Sequence, residues 1–149
     1  MVDRKVHPRH FLSHEEKERI VQSIRKAESQ TSGEIRVALD YRAKGNVLAH
    51  ARRVFEKLRM AGTKHRNGVL IFLALKDREF AILGDKGIHE KLGDKFWEEA
   101  AAQMKMSFAR NEFGAGIEAV IQKTGAELAR HFPCEKGDRN ELPDKMDEH

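Results

Sequence analysis

Seven consecutive apolar residues, Val69 to Leu75, stand between Asn67-Gly68 and the charged turn Lys76-Asp77-Arg78. An unbroken apolar run with such boundaries predicts a strand buried on both faces, and a strand of that kind needs helices packed above and below it. A second strand, Glu79 to Leu83, follows after so short a turn that it must run antiparallel to the first. It ends on Gly84-Asp85-Lys86-Gly87, where flexible backbone, a carboxylate and an ammonium meet at a strand end.

The flanking segments supply the covering helices. Ser13-His14-Glu15-Glu16 has the form of a capping box, and Ile20, Val21, Ile24 and Ala27 place one apolar stripe on the helix it opens. Thr31-Ser32-Gly33 ends that helix. Glu34 to Tyr41 alternates with period two, carrying Ile35, Val37, Leu39 and Tyr41 on one face and Glu34, Arg36, Ala38 and Asp40 on the other. Asn46 is positioned to cap a second helix, with Leu48, Ala51, Phe55 and Leu58 at helical spacing up to Gly62. Strand, helix and buried strand in this order form a βαβ unit, so the first two strands run parallel.

After Gly87 the pattern predicts one helical turn over Ile88 to Leu92, then a longer helix capped by Asp94 with Phe96, Trp97, Ala100, Met104 and Phe108 as core. Asn111 to Gly116 reads as a loop. A last helix carries Ile117, Val120, Ile121, Thr124, Leu128 and Phe132 and stops at Pro133. The expected fold is therefore α/β, a three-layer α/β/α sandwich whose small mixed sheet is a βαβ unit plus an antiparallel hairpin strand. One domain over 11–133 is expected, preceded by a flexible arm over 1–10 and followed by a disordered acidic tail over 134–149.

Charge is uneven along the 149 residues. From Glu135 onward there are six acidic and three basic residues, which leaves 25 basic and 18 acidic residues ahead of them. A basic body can meet an anionic partner, but nucleic acid is not expected, because a single Tyr and a single Trp give few platforms for base stacking. The start of the chain has no apolar stretch that would serve as a signal peptide, and no segment approaches the length of a membrane span, so a cytoplasmic protein is expected. The lone Cys134 excludes an intrachain disulfide.

Strand polarity decides which side chains can meet. With parallel first and second strands, Gly33 and Asn67-Gly68 lie at their starting end, and the antiparallel third strand delivers Gly84 to Gly87 to the same rim. The opposite rim collects Asp40, Tyr41, Arg42, Lys44, Asp77 and Arg78. The glycine-bearing rim is the preferred site, since it holds more carboxylates and two histidines. Asp85, Glu90 and Asp94 are candidate ligands for Ca²⁺ or Mg²⁺, with no organic cofactor expected. Set against this are plain structural roles: a turn at Asp85, a solvated Glu90 and a helix cap at Asp94. Asn67, Gly68, Gly84, Lys86 and Gly87 are candidate ligand-binding positions, the last three as a small anion nest ahead of a helix. His65, Lys86 and His89 are the candidates for acid–base or electrostatic work. His7, His10 and His14 are broken up by Pro8 and the cap at Ser13. His50 and His131 read as exposed or half-buried helix positions.

Taken together, Ser13-x-x-Glu16, Thr31-Ser32-Gly33-Glu34-Ile35-Arg36-Val37, Asn67-Gly68-Val69-Leu70-Ile71, the turn Gly84 to Gly87, Leu92, Asp94 and Phe113-Gly114-Ala115-Gly116-Ile117 resemble the TPM domain family. That resemblance spans Phe11 to Phe132 and implies an α/β/α sandwich, divalent cation binding in some members, an acid-phosphatase-like activity proposed for a plant member, and roles in photosystem repair or membrane-protein modulation. The family's Asn-Gly falls on Asn67-Gly68, its second turn glycine on Gly87 and its following aspartate on Asp94. Its usual glutamate two residues after that glycine is His89 here, and Asp85 replaces a common glycine. Imidazole in place of a carboxylate weakens a hard-cation site. Lacking the family's usual secretion signal and membrane anchor, the chain resembles a cytosolic branch.

Two functional expectations follow. One is a domain that binds a divalent cation or a phosphate-bearing ligand at the glycine rim, with weak phosphatase-like hydrolysis as its enzymatic form. The other is a non-catalytic interaction module that offers basic helices to an unidentified protein partner.

Overall fold

The computed structural model describes residues 11–134 and the backbone of 147–148. Helix α1 (His14–Glu28) leads into strand β1 (Glu34–Asp40), helix α2 (Val47–Lys57) and a 3-10 turn (Met60–Gly62). Strands β2 (Gly68–Ala74) and β3 (Glu79–Gly84) form a hairpin, followed by α3 (Lys86–Ala109), α4 (Phe113–His131) and a two-residue strand β4 (Asp147–Glu148). The sheet order is β3-β2-β1-β4. β1 pairs with β2 in parallel from Glu34↔Gly68 to Asp40↔Ala74, and β3 pairs with β2 antiparallel from Val69↔Gly84 to Ala74↔Glu79.

Alternation across the pleat divides the core in two. Ile35, Val37, Leu39, Val69, Ile71 and Leu73 face α1, α3 and α4, whereas Ala38, Leu70, Phe72 and Ala74 face α2 and the 3-10 turn. Every residue of β2 is buried, which the unbroken apolar run requires. The α/β/α sandwich with its mixed sheet is thus the observed fold.

The predicted caps at Ser13 and Asn46 are present. Ser13 and Glu16 close a reciprocal capping box, and Asn46 Oδ1 accepts from the Ala49 amide at 2.7 Å. α1 buries Ile20 and Ile24. The turn followed by a long helix after Gly87 is one α3 with a break at Gly93, whose φ of 76° no ordinary helix contains.

Four details differ from the pattern. α4 begins at Phe113, so the loop before it is confined to a few residues. Phe113 packs edge-on against Phe11 at 4.7 Å, and the backbone at Gly114 lies so near α1 that an added Cβ would sit 2.7 Å from Glu16. In α2 the core is made by Ala51 and Val54, while Leu48 is 42% exposed, because the helix is rotated slightly from its expected stripe. The helical spacing that reaches to Gly62 is interrupted at Arg59, whose left-handed backbone opens the 3-10 turn. The polar face of β1 is also buried: Glu34 and Arg36 are almost wholly covered. β4 pairs in parallel with β1 at Ala38↔Asp147 and Leu39↔Glu148. The expected arm over 1–10 lies outside the described residues, as does the rest of the expected tail beyond Cys134.

Candidate functional site

At the starting end of β1 and β2, the segment Thr63 to Gly68 runs beside Gly84 to Gly87. The Asp85 amide donates to the Gly68 carbonyl at 2.9 Å, and the Gly87 amide to the Arg66 carbonyl at 2.8 Å. Asn67 and Asp85 therefore share one rim, as strand polarity requires. Their side chains do different work. Asn67 is fully enclosed, with its amide nitrogen donating to Ser32 Oγ at 3.2 Å and its backbone N–H to Thr63 Oγ1 at 3.1 Å.

Asp85 and Glu34 are both buried carboxylates at this rim, and Asp85 is engaged on two sides. Arg66 grips it bidentately, Nε to Oδ2 at 2.6 Å and a terminal nitrogen to Oδ1 at 2.9 Å. Its Oδ1 also accepts the Lys86 amide at 2.8 Å, at the N-terminus of α3. A carboxylate here occupies the spot where a helix N-terminus would otherwise attract a phosphate. The hydrogen bond to Asp85, and then its charge, raise the Arg66 guanidinium above its ordinary value. A base raised in the folded state keeps its stabilising charge at every pH below its unfolded value and loses it only as pH rises through the folded one. In neutral solution Arg66 is therefore fully charged.

The rim glycines are explained by close approach of the chain to itself. A Cβ at Gly87 would lie 2.1 Å from the His65 carbonyl oxygen, one at Gly68 would lie 2.8 Å from that of Met60, and one at Gly84 would lie 2.5 Å from the Trp97 ring. The remaining candidates point outward. His89 Nε2 stands 3.3 Å from Asp94 Oδ1, with side chains 49% and 83% exposed, and the His89 ring stacks parallel on Trp97 at 6.2 Å. Glu90 and Lys86 are exposed, and His65 is half-buried near Phe132. Among the described residues no three His, Cys, Asp or Glu side chains gather as a metal-binding group. A cleft of about 440 Å³ runs from this rim along the free edge of β3, with Gly84, Asp85, His89 and Trp97 at one end and Leu48 and Phe55 of α2 at the other. The indole Nε1 of Trp97 is buried without a partner among the described residues.

The opposite rim contains a pair that sequence spacing did not single out. His50 Nε2 lies 2.9 Å from Asp40 Oδ2, its Nδ1 accepts the Lys44 amide at 2.9 Å, and its ring stacks on Phe72 at 5.1 Å. Accepting at Nδ1 leaves the proton on Nε2, donated to Asp40. Both ring nitrogens are engaged, so His50 ties the loop after β1 to α2 and has no free lone pair for base catalysis. Ten residues and a loop separate Asp40 from His50, and only the βα geometry brings them together.

A small mixed sheet between helical layers, with a glycine-lined rim at the start of its parallel strands, defines a class of α/β/α sandwich domain. The TPM domain family matches residues 6–127, and the chain belongs to that family. It is similar to the BA42 protein of the psychrophilic bacterium Bizionia argentinensis, solved by NMR, at 41% identity and TM-score 0.87, with 94% of this chain and 97% of that one covered. The N-terminal domain of the cg2496 protein from Corynebacterium glutamicum shares the fold at 13% identity and TM-score 0.62, over 93% and 81% of the two chains. No curated protein matches the chain. Among the described residues no helix is long and apolar enough to cross a membrane.

Proposed function

We propose that this TPM domain is a non-catalytic binding module which meets an acidic protein partner through the outer face of α2. The observation that carries the reading is the Arg66 clamp on Asp85, since the carboxylate at the N-terminus of α3 is neutralised and hydrogen-bonded by its own chain. Arg66 and the Lys86 amide already fill three of about four acceptor sites of Asp85, and the guanidinium beside it repels a metal cation. Cations supply the binding surface. Arg52, Arg53, Lys57 and Arg59 project from α2 and the turn after it, with Glu56 as the acidic residue among them and Leu48 exposed beside them.

Hydrolysis of p-nitrophenyl phosphate with Mg²⁺, Ca²⁺ or Mn²⁺ is expected to stay at the level of heat-denatured protein. Turnover that disappears in Asp85→Asn would overturn the reading. Polyglutamate should bind in a salt-sensitive way, with affinity reduced about tenfold by Arg52→Glu combined with Lys57→Glu, as loss and reversal of rim charges predicts.

A second reading is favoured by the exposed His89–Asp94 pair beside the Gly93 break. Asp94, with Glu90 four residues earlier across the break at Gly93, is an accessible oxygen donor for Ca²⁺ or Mg²⁺, and His89 makes such a site a weak one. Amide shifts confined to Gly84 through Asp94 on titration with Ca²⁺, abolished by Asp94→Ala, would support it. An unchanged response in Asp94→Ala would remove it.

A further inference from the structure

The far end of the sheet holds the larger cavity, about 670 Å³, opposite the glycine rim. Its walls come from the ends of β1 and β2, the turn of the β2–β3 hairpin, and the junction between α3 and α4. The floor is aromatic: Phe113 packs on Phe11 at 4.7 Å and on Phe108 at 5.1 Å, and Leu73 and Leu75 continue the apolar surface. The mouth is basic. Lys76, Arg78 and Lys105 border it against one carboxylate, Glu79. Among the described residues none of those three cations is held in an ion pair. Tyr41 stands at the edge, 41% exposed, with Lys76 Nζ 5.5 Å from its ring centroid.

Two features of the backbone place these groups. The Leu75 and Lys76 amides donate to the carbonyls of Asp40 and Tyr41, which anchors the hairpin turn across the end of β1. Arg78 and Asn111, both lining the cavity, adopt left-handed backbone at φ 52° and 60°. Arginine carries a steric cost at such a φ that glycine would not. The cost is borne at a position where the side chain adds charge to the opening.

Aromatic and aliphatic walls with a few convergent charged groups are the makeup of a small-molecule site, and a volume of this size lies within the range such sites occupy. The charge at the mouth sets the sign of the head group, and the floor sets an apolar body. We propose that this cavity binds a single-chain amphiphile with an anionic head, the tail against Phe11, Phe108 and Phe113 and the head at Lys76, Arg78 and Lys105. The inference is independent of the α2 surface and of the glycine rim.

The test is an amide-shift titration of the full chain with sodium decanoate, decyl phosphate, decyltrimethylammonium and acetate, each below its micelle concentration. Decanoate and decyl phosphate are expected to move the amides of Leu75, Arg78, Lys105, Phe108, Asn111 and Phe113, the tighter of the two indicating a carboxylate or a lipid-phosphate source. The cationic amphiphile and acetate should bind at least about tenfold more weakly, one lacking the charge match and the other the apolar body. Lys76→Glu with Lys105→Glu should weaken decanoate about fivefold to tenfold. Arg78→Gly, which fits its backbone, should keep the native spectrum and lose affinity severalfold. Equal binding by decyltrimethylammonium, shifts centred elsewhere, or no response from the full chain would each overturn the proposal.

Discussion

The two ends of the sheet are built from similar materials and differ in what the chain has already done with them. At the starting end of the parallel strands, glycines, a carboxylate and an arginine converge, and each finds its partner inside the protein: Arg66 with Asp85, Gly87 under the His65 carbonyl, Gly68 under Met60. At the carboxyl end, Lys76, Arg78 and Lys105 surround an open cavity and are left to solvent. A cluster of polar residues in a sequence therefore says where chain segments crowd together. Whether the crowd serves the fold or a ligand depends on which hydrogen bonds are already satisfied.

Gly87→Ala should break the comparison most severely. Its methyl would enter the space of two backbone carbonyl oxygens, 2.1 and 2.7 Å away, and backbone cannot rotate aside as a side chain can. Displacing the segment beside β2 should cost about 3 kcal/mol, at the upper end of overpacking penalties, readable as a fall in the urea midpoint. A loss below about 1 kcal/mol would mean that this rim is loose enough to admit a ligand.

Asp85→Ala comes next, removing the α3 cap and leaving Arg66 without its acceptor, at about 2 kcal/mol. Asp85→Asn retains an acceptor for the Lys86 amide and should cost about half of that. Equal losses in the two variants would show that charge outweighs the cap. His50→Ala at the other end should cost about 1.5 kcal/mol, because the ring stacks on Phe72 and bridges Asp40 to the Lys44 amide. Its effect on the Asp85 rim should be nil, since the two lie at opposite ends of β1 and distant substitutions add.

How far each end was legible follows from the range of the interactions that build it. The buried β2, the antiparallel β3, the Ser13–Glu16 and Asn46 caps and the shared border of Asn67 and Asp85 are consequences of local pattern and strand direction, and all are present. The Arg66 clamp was not legible. It depends on left-handed backbone at Arg66, φ 53°, which turns that side chain toward Asp85 across 19 residues, and arginine gives no local sign of adopting it. The Asp40–His50 pair escaped for the same reason, as contact across a βα connection has no fixed spacing. Helical spacing marks the floor as apolar at Phe108, yet its opening toward Lys105 and Lys76 depends on α4 starting at Phe113, where the local pattern predicts a loop.

Arg59 and Arg78 offer the finest distinction. Both are exposed arginines in left-handed backbone, φ 56° and 52°, one after α2 and the other at the cavity mouth. Replacing either by glycine relieves a similar steric cost while adding freedom to the unfolded chain, so each should stabilise by no more than about 0.5 kcal/mol. Stability therefore cannot tell the two apart. Binding should: Arg78→Gly is expected to lower decanoate affinity and leave polyglutamate unaffected, and Arg59→Gly to do the reverse. If both variants changed both ligands equally, net charge alone would govern binding, and the division of labour between the α2 surface and the cavity would be lost.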